Sequence, residues 1–202
     1  MNSGKQLRPG RHQLSRDQVR THQRDRIFRA LETVMAVQGY SETSVADIIK
    51  SAGVSRQTFY ELFASKEDCF ITSYARRQGA VLETLVGISV AKSPMQRFAT
   101  VLRTYLTVMA ADPALSRLYL IGVYAAGPRA IGKRLELQQQ FVDAIATVFE
   151  ARSKQDRFTA QVLVAAISTL VTNAVLEEDP QAVLDLHGPL IRVAERLMAS
   201  ER

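Results

Sequence analysis

The stretch from Thr43 to Lys66, TSVADIIKSAGVSRQTFYELFASK, decides the fold. Val45, Ile48 and Ile49 recur at helical spacing, which predicts a short helix from about Ser44 to Ala52. Gly53 falls just past its end, where a residue without a Cβ takes positive φ cheaply. Val54 is placed to plug inward beneath the turn. Ser55 offers an N-cap oxygen to a second helix, Arg56 to about Leu62. That helix has a buried side, Phe59 with Leu62 or Phe63, and a polar side of Arg56, Gln57, Thr58, Tyr60 and Glu61. Ser65 and Asp68, three residues apart, form a capping-box pattern that starts a third helix.

A helix, a glycine turn and a polar-faced second helix make a helix-turn-helix, whose second helix lies in the major groove of DNA. Arg56 and Gln57 are the residue types that make bidentate contacts to guanine and adenine edges. The Thr58 methyl can meet a thymine methyl, and Tyr60 and Lys66 can hydrogen-bond phosphates and fix the register. Thr43, Ser44 and Ser55 complete the candidate DNA-binding set. The competing reading of the bare turn is an ordinary helical hairpin on a globular surface.

The stretch taken whole resembles the tetracycline-repressor (TetR) family of bacterial transcriptional regulators. The resemblance rests on Gly39-Tyr40, Thr43-Ser44, Ile48-Ile49, Ala52-Gly53-Val54-Ser55, Thr58-Phe59-Tyr60, Phe63 and Ser65-Lys66-Glu67, and covers residues 22 to 75. Ile49 stands where the family usually has Ala, Gln57 where Gly is common, and Leu62 where His is usual. Ala46 stands where some members place a base-contacting Arg. The resemblance implies a homodimer on a palindromic double-stranded operator, with the last two helices forming a four-helix interface. It also implies repression relieved by a small molecule bound in the carboxyl-terminal region.

Around that stretch the composition is ordinary: 202 residues, 47% hydrophobic and 23% charged. The single Cys69 leaves no internal disulfide and suits a reducing cytosol, so a cytoplasmic location is expected. Its plain reading is a small buried residue; a redox role needs an exposed thiolate of low pKa. Residues 1 to 29 hold Lys5, Arg8, Arg11, Arg16, Arg20, Arg24, Arg26 and Arg29 against Asp17 and Asp25, an excess equal to the chain's net charge of +6. Residues 1 to 20 are expected to be a basic arm for phosphates or the minor groove, the alternative being a solvated tail. The segment lacks the apolar run of a signal peptide.

The remaining chain is punctuated as helices throughout, so the fold class is all-α. The expected division is an arm over 1–20, a helix-turn-helix domain over 21–66 and an effector-binding and dimerisation domain over 67–202. The first helix begins between Asp17 and His22 and ends at Gly39, burying Ile27, Leu31 and Val34 with Phe28 and Met35. The helix after Ser65 runs to about Val86, and Gly87 to Lys92 is a boundary. Ser93-Pro94-Met95-Gln96, Asp112-Pro113, Gly127-Pro128, Ser153 with Asp156, and Asp179-Pro180 each start a helix. The second of these runs through Leu115, Leu118, Tyr119 and Val123, and the last breaks or kinks near Gly188-Pro189. Ala160 to Leu176 is apolar nearly all round. It is 17 residues long with Gln161, Ser168, Thr169, Thr172 and Asn173 inside, and a helix buried on all sides explains it better than a membrane span. Its small residues Ala160, Ala165, Ala166, Ser168 and Ala174 suit close approach of a second copy, and Val171 is expected to meet that copy.

Enzyme chemistry is not written in the chain. The three His and one Cys are scattered, so neither a metal site nor a cofactor is expected. Gly87-Ile-Ser89-Val-Ala91 has only part of a nucleophile elbow, and His187 reads as a helix-end residue. Candidate residues for a small hydrophobic ligand are Tyr105, Met109, Tyr119, Tyr124, Phe141 and Asn173, each of which could equally be plain core or interface. The alternative function is a DNA-binding interaction protein of the same fold with no inducer.

Overall fold

The computed structural model describes residues 15–86 and 93–199. Every regular element among them is a helix: α1 (Arg16–Glu42), α2 (Val45–Ala52), α3 (Arg56–Leu62), α4 (Lys66–Val86), α5 (Pro94–Ala111), α6 (Pro113–Leu120), α7 (Gly122–Ala125), α8 (Pro128–Val148), α9 (Lys154–Leu176), α10 (Pro180–Asp185) and α11 (His187–Ala199). Lys5, Arg8 and Arg11 of the expected arm, the Gly87 to Lys92 boundary and the Ser89 motif lie outside the described residues.

The first helix starts earlier than its periodicity predicts. Ser15 accepts from the Gln18 N–H, and the Gln18 side chain accepts from the Ser15 N–H at 2.8 Å. This capping box makes Arg16 and Arg20 helical rather than part of an arm. Gly39 (φ 82°, ψ 170°) kinks the helix at its expected end, and the chain then coils on to Glu42. Ser44 and Asp47 cap α2 reciprocally. Gly53 takes the left-handed conformation at φ 60°, and a Cβ there would stand 2.7 Å from Arg26 Nη2. Ser55 Oγ accepts from the Thr58 N–H at 3.0 Å, as an N-cap should.

These three helices close on aromatic rings. Phe28, Phe59 and Phe63 meet with centroids 5.4 to 5.7 Å apart, and Ile27, Leu31, Met35 and Ile48 fill around them. The same core runs on through Cys69, Phe70 and Tyr74 of α4 to Leu118, Tyr119, Val123, Ala130 and Leu137. The expected division between residues 66 and 67 marks the start of α4 but no edge in the packing. Cys69 is fully buried, and burial, with Asp68 beside it, pushes its thiol far above the ordinary range. An inert core thiol fits this better than a redox sensor.

A second core joins α5, α8, α9, α10 and α11 around Phe98, Leu102, Leu106, Leu163, Val171 and Leu190. Its helices start where the sequence says: Ser93 with Gln96, Asp112, and Ser153 with Asp156 all accept from the backbone N–H groups of their first turns, and Asp179 from that of Gln181. One break is new, and another falls close to its expected place. The helix from Pro113 ends at Leu120 and restarts at Gly122. The last helix breaks at Leu186, which leaves Gly188-Pro189 in the first turn of α11, where Pro is tolerated.

Within the single chain, helix α9 is buried on one side only. It is long and apolar enough to cross a membrane by length and composition. Leu163, Val164, Ile167 and Val171 pack into the core, while Phe158, Val162, Ala165, Leu170 and Leu176 face outward. Val171, expected against a second copy, is 0% exposed and points into its own chain; its neighbour Leu170, 41% exposed, points away from it. Ala160 and Ala174 are likewise core residues.

Candidate DNA interface and ligand cavity

The polar side of α3 is free. Arg56, Gln57 and Tyr60 are exposed and Thr58 is half-buried. The Arg56 guanidinium lies over the Tyr60 ring, 5.5 Å from its centroid, and the Gln57 amide donates to Glu61 at 2.8 Å. Ser44 and Ser55 are exposed at the starts of α2 and α3, each spending its hydroxyl on a cap. Arg26 holds the turn from behind, donating to the Gly53 carbonyl at 2.9 Å. It lines a basic cleft between α1 and α2 with His22, Arg29 and Ser51. Arg26 was absent from the sequence-based set because nothing local distinguishes it from the other arginines of α1.

Two members of that set are structural in this fold. Thr43 is 1% exposed, and its hydroxyl donates to the Gly39 carbonyl at 2.7 Å. Lys66 donates from Nζ to the Tyr40 carbonyl (2.8 Å) and the Thr43 carbonyl (2.7 Å), with the ammonium 4.2 Å from the Tyr40 ring centroid. Burial holds its pKa below the ordinary lysine value. Lys66 thus satisfies carbonyls left open at the end of α1, where a cation is favoured by the helix dipole, instead of reaching for phosphate.

An apolar cavity lies between α4, α5, α8 and α9, with Leu120 of α6 in its wall. The space open to water centres is about 70 Å³. Tyr105 and Phe141 of the ligand candidates line it, together with Phe98, Leu102, Ile145, Val164 and Ile167. Tyr74, Gln78, Arg134, Gln138 and Ser168 supply polar groups. Burial keeps the Tyr74 phenol protonated, and raises the Tyr105 pKa to about 12. Met109 and Tyr119 line a neighbouring, larger groove of about 440 Å³ between α4, α5 and α6. Gln78 and Leu120 border both spaces. Tyr124 is exposed and touches the site only through Arg134, whose Nε donates to its hydroxyl at 3.0 Å. Asn173 is exposed on α9, away from the cavity. Sequence reasoning missed Arg134 and Tyr74, since each occupies an ordinary place in the pattern of its own helix.

The cavity is wired to α1. Tyr74 stacks on Tyr119 with centroids 5.6 Å apart. The Tyr119 hydroxyl donates to Glu32 of α1 at 3.0 Å and shares a 2.8 Å hydrogen bond with Ser73. Arg77 Nε also donates to Glu32, at 3.2 Å. One carboxylate on α1 therefore collects α4 and α6 beside the cavity wall. Among the described residues no group of His, Cys, Asp and Glu is placed to hold a metal ion.

A free-faced second helix on a solid three-helix support, joined through a long helix to a hollow bundle, defines a helix-turn-helix protein of the two-part helical kind. Residues 27–72 match the family model described as bacterial regulatory proteins, tetR family. That match falls on the helix-turn-helix stretch that carries the motif resemblance. The fatty acid metabolism regulator protein of Bacillus subtilis is 30% identical over 91 residues, 45% of this chain. The match spans 47% of that relative, about half its length. Two solved structures share the fold. FadR from Bacillus subtilis, in complex with stearoyl-CoA, superposes with a TM-score of 0.74 at 19% identity, over 84% of this chain and 96% of that one. The fatty acid degradation regulator FadR from Bacillus halodurans gives 0.73 at 20% identity, with the same coverage of both chains.

Proposed function

We propose that this chain is a homodimeric repressor that leaves its palindromic DNA operator when a long-chain fatty acyl compound enters the carboxyl-terminal bundle. The observation that carries the reading is the apolar cavity walled by α4, the helix that leads out of the helix-turn-helix. The acyl class comes from the relatives: one is named a fatty acid metabolism regulator and another was solved with stearoyl-CoA. On this reading residues 21–66 bind DNA, with Arg56 and Gln57 at base edges and Tyr60, Ser44 and Ser55 at the backbone, and residues 67–202 bind effector and partner. The outward side chains Phe158, Val162, Leu170 and Leu176 of α9, with Val193 of α11, form the face that meets the second copy in the cytoplasm.

The size of the cavity supplies the mechanism. Ligand pockets usually hold about 300–1,000 Å³. An acyl chain therefore has to part the walls or cross Gln78 and Leu120 into the neighbouring groove. Either way it favours a state with α4 displaced, and a ligand shifts an equilibrium only by its differential affinity for the two states. Moving α4 in both copies changes the spacing of the two recognition helices from the roughly 34–36 Å that successive major grooves require. The test is to recover and sequence genomic DNA bound to the purified protein, then titrate the selected duplex with acyl compounds of increasing length. Release by long chains and not by short ones is expected. DNA binding that ignores every acyl compound would leave the same fold working without an inducer.

A further inference from the structure

Arg134 is an unusual resident of an apolar wall. Its guanidinium reaches the cavity from α8, donates from Nη2 to Ser168 Oγ of α9 at 3.2 Å and from Nε to Tyr124, and lies 5.5 Å from the centroid of the Tyr124 ring. All its partners are hydroxyls, and among the described residues no carboxylate pairs with it. Burial works against its charge, but the hydrogen bond to Tyr124, with the Tyr74 phenol nearby, outweighs this and holds its pKa above the ordinary arginine value. Tyr74 and Tyr105 stay neutral, so nothing on that wall cancels the charge. A guanidinium held charged by neutral hydroxyls alone still lacks a counter-ion, and an oxyanion supplies that partner with charge-assisted, bidentate geometry.

We infer that Arg134, braced by Ser168 and Tyr124, is a head-group site for an oxyanion, so that the effector is an anionic amphiphile and not a neutral lipid. The inference rests on the acyl-effector reading above and adds the chemistry of the head. The alkyl chain then runs along Phe98, Leu102, Phe141, Ile145 and Ile167. Two sources present this chemistry on an acyl chain: the carboxylate of a free fatty acid and the phosphates of an acyl thioester of coenzyme A.

The experiment measures binding of dodecanoate, dodecanol and dodecanoyl-CoA to the whole chain, and DNA release by each. Wild type should bind dodecanoate about 10- to 100-fold more tightly than dodecanol. Arg134→Gln should erase that preference while leaving dodecanol affinity within about twofold, and Arg134→Lys should keep most of it. If Arg134→Gln weakens dodecanoate alone, the head is a carboxylate; if it weakens dodecanoyl-CoA as much, phosphate takes the same site. Both results support the inference. Equal binding of dodecanoate and dodecanol by wild type, or equal weakening of both by Arg134→Gln, would overturn it and leave the apolar effector reading standing. If none of the three binds wild type, the effector reading itself fails, and this inference with it. The wild-type comparison does not depend on any variant folding.

Discussion

The helices before residue 63 and those after residue 93 are started by the same devices, yet they enclose different interiors. Helices α1 to α3 cross tightly and close on contacting, tilted phenylalanine rings. Helices α5, α8 and α9 are 18 to 23 residues long and leave space between them, and α9 leaves an apolar face outside. The first region has to hold a fixed shape to present Arg56 and Gln57. The second encloses a cavity, and a packed core with room in it is one that an incoming molecule can push into a second arrangement.

The largest effect should come from testing which side of α9 is inside. Val171→Asp places a charge in the second core and should cost more than about 4 kcal/mol, enough to abolish a cooperative thermal transition. Leu170→Asp, one residue earlier, should melt within about 1 kcal/mol of the wild-type monomer and sediment as a monomer at micromolar concentration. A dimeric Leu170→Asp would move the interface off α9.

Next is the clamp in the first region. Lys66→Ala removes two hydrogen bonds from a charged donor and should cost about 2–3 kcal/mol of stability. Denaturant unfolding measures it. The slope of log affinity against log salt should stay as in wild type, whereas loss of a phosphate contact would lower it by about one unit. Arg56→Ala should do the reverse, leaving unfolding unchanged while weakening operator binding by about 1–3 kcal/mol and relaxing preference at one base pair. A binding-site selection on both variants decides whether reading and holding are separated in this way.

The smallest effect concerns the join. Tyr119→Phe keeps the ring stack on Tyr74 but removes the hydroxyl from Glu32 and Ser73, at about 1 kcal/mol. Effector affinity and operator affinity, each measured alone, should change little, while the effector's ability to release DNA should fall. Undiminished release would show that the two regions communicate by another route.

What was legible in the sequence was what is decided within four residues. Ser55, Ser93, Asp112, Ser153 and Asp179 each cap the helix they were expected to cap, because a cap needs only its own first turn. Gly53 adopts the conformation its place demanded. Partners distant in the chain were not legible. Lys66 reads as a surface cation until α1 brings the Tyr40 and Thr43 carbonyls to it from 26 and 23 residues away. The inner side of α9 could not be chosen because apolar residues on every side cancel the periodicity that would mark it. Of the six ligand candidates, Tyr105 and Phe141 line the cavity, Met109 and Tyr119 the groove beside it, and Tyr124 and Asn173 neither. Helical spacing gives the face of a helix, whereas a cavity depends on where four helices fail to touch.

The burial of Cys69 has a practical side. It is the chain's only cysteine and it lies inside the core, so the surface carries no native thiol. A single cysteine introduced by Gln57→Cys, at an exposed site on α3, would take a spin label without first cutting a hole in the native core. In a symmetric pair the labels yield one distance, between the two copies of α3. That distance can be read with the bundle empty and with acyl compound added, so the protein already offers a ruler for the motion by which it is proposed to work.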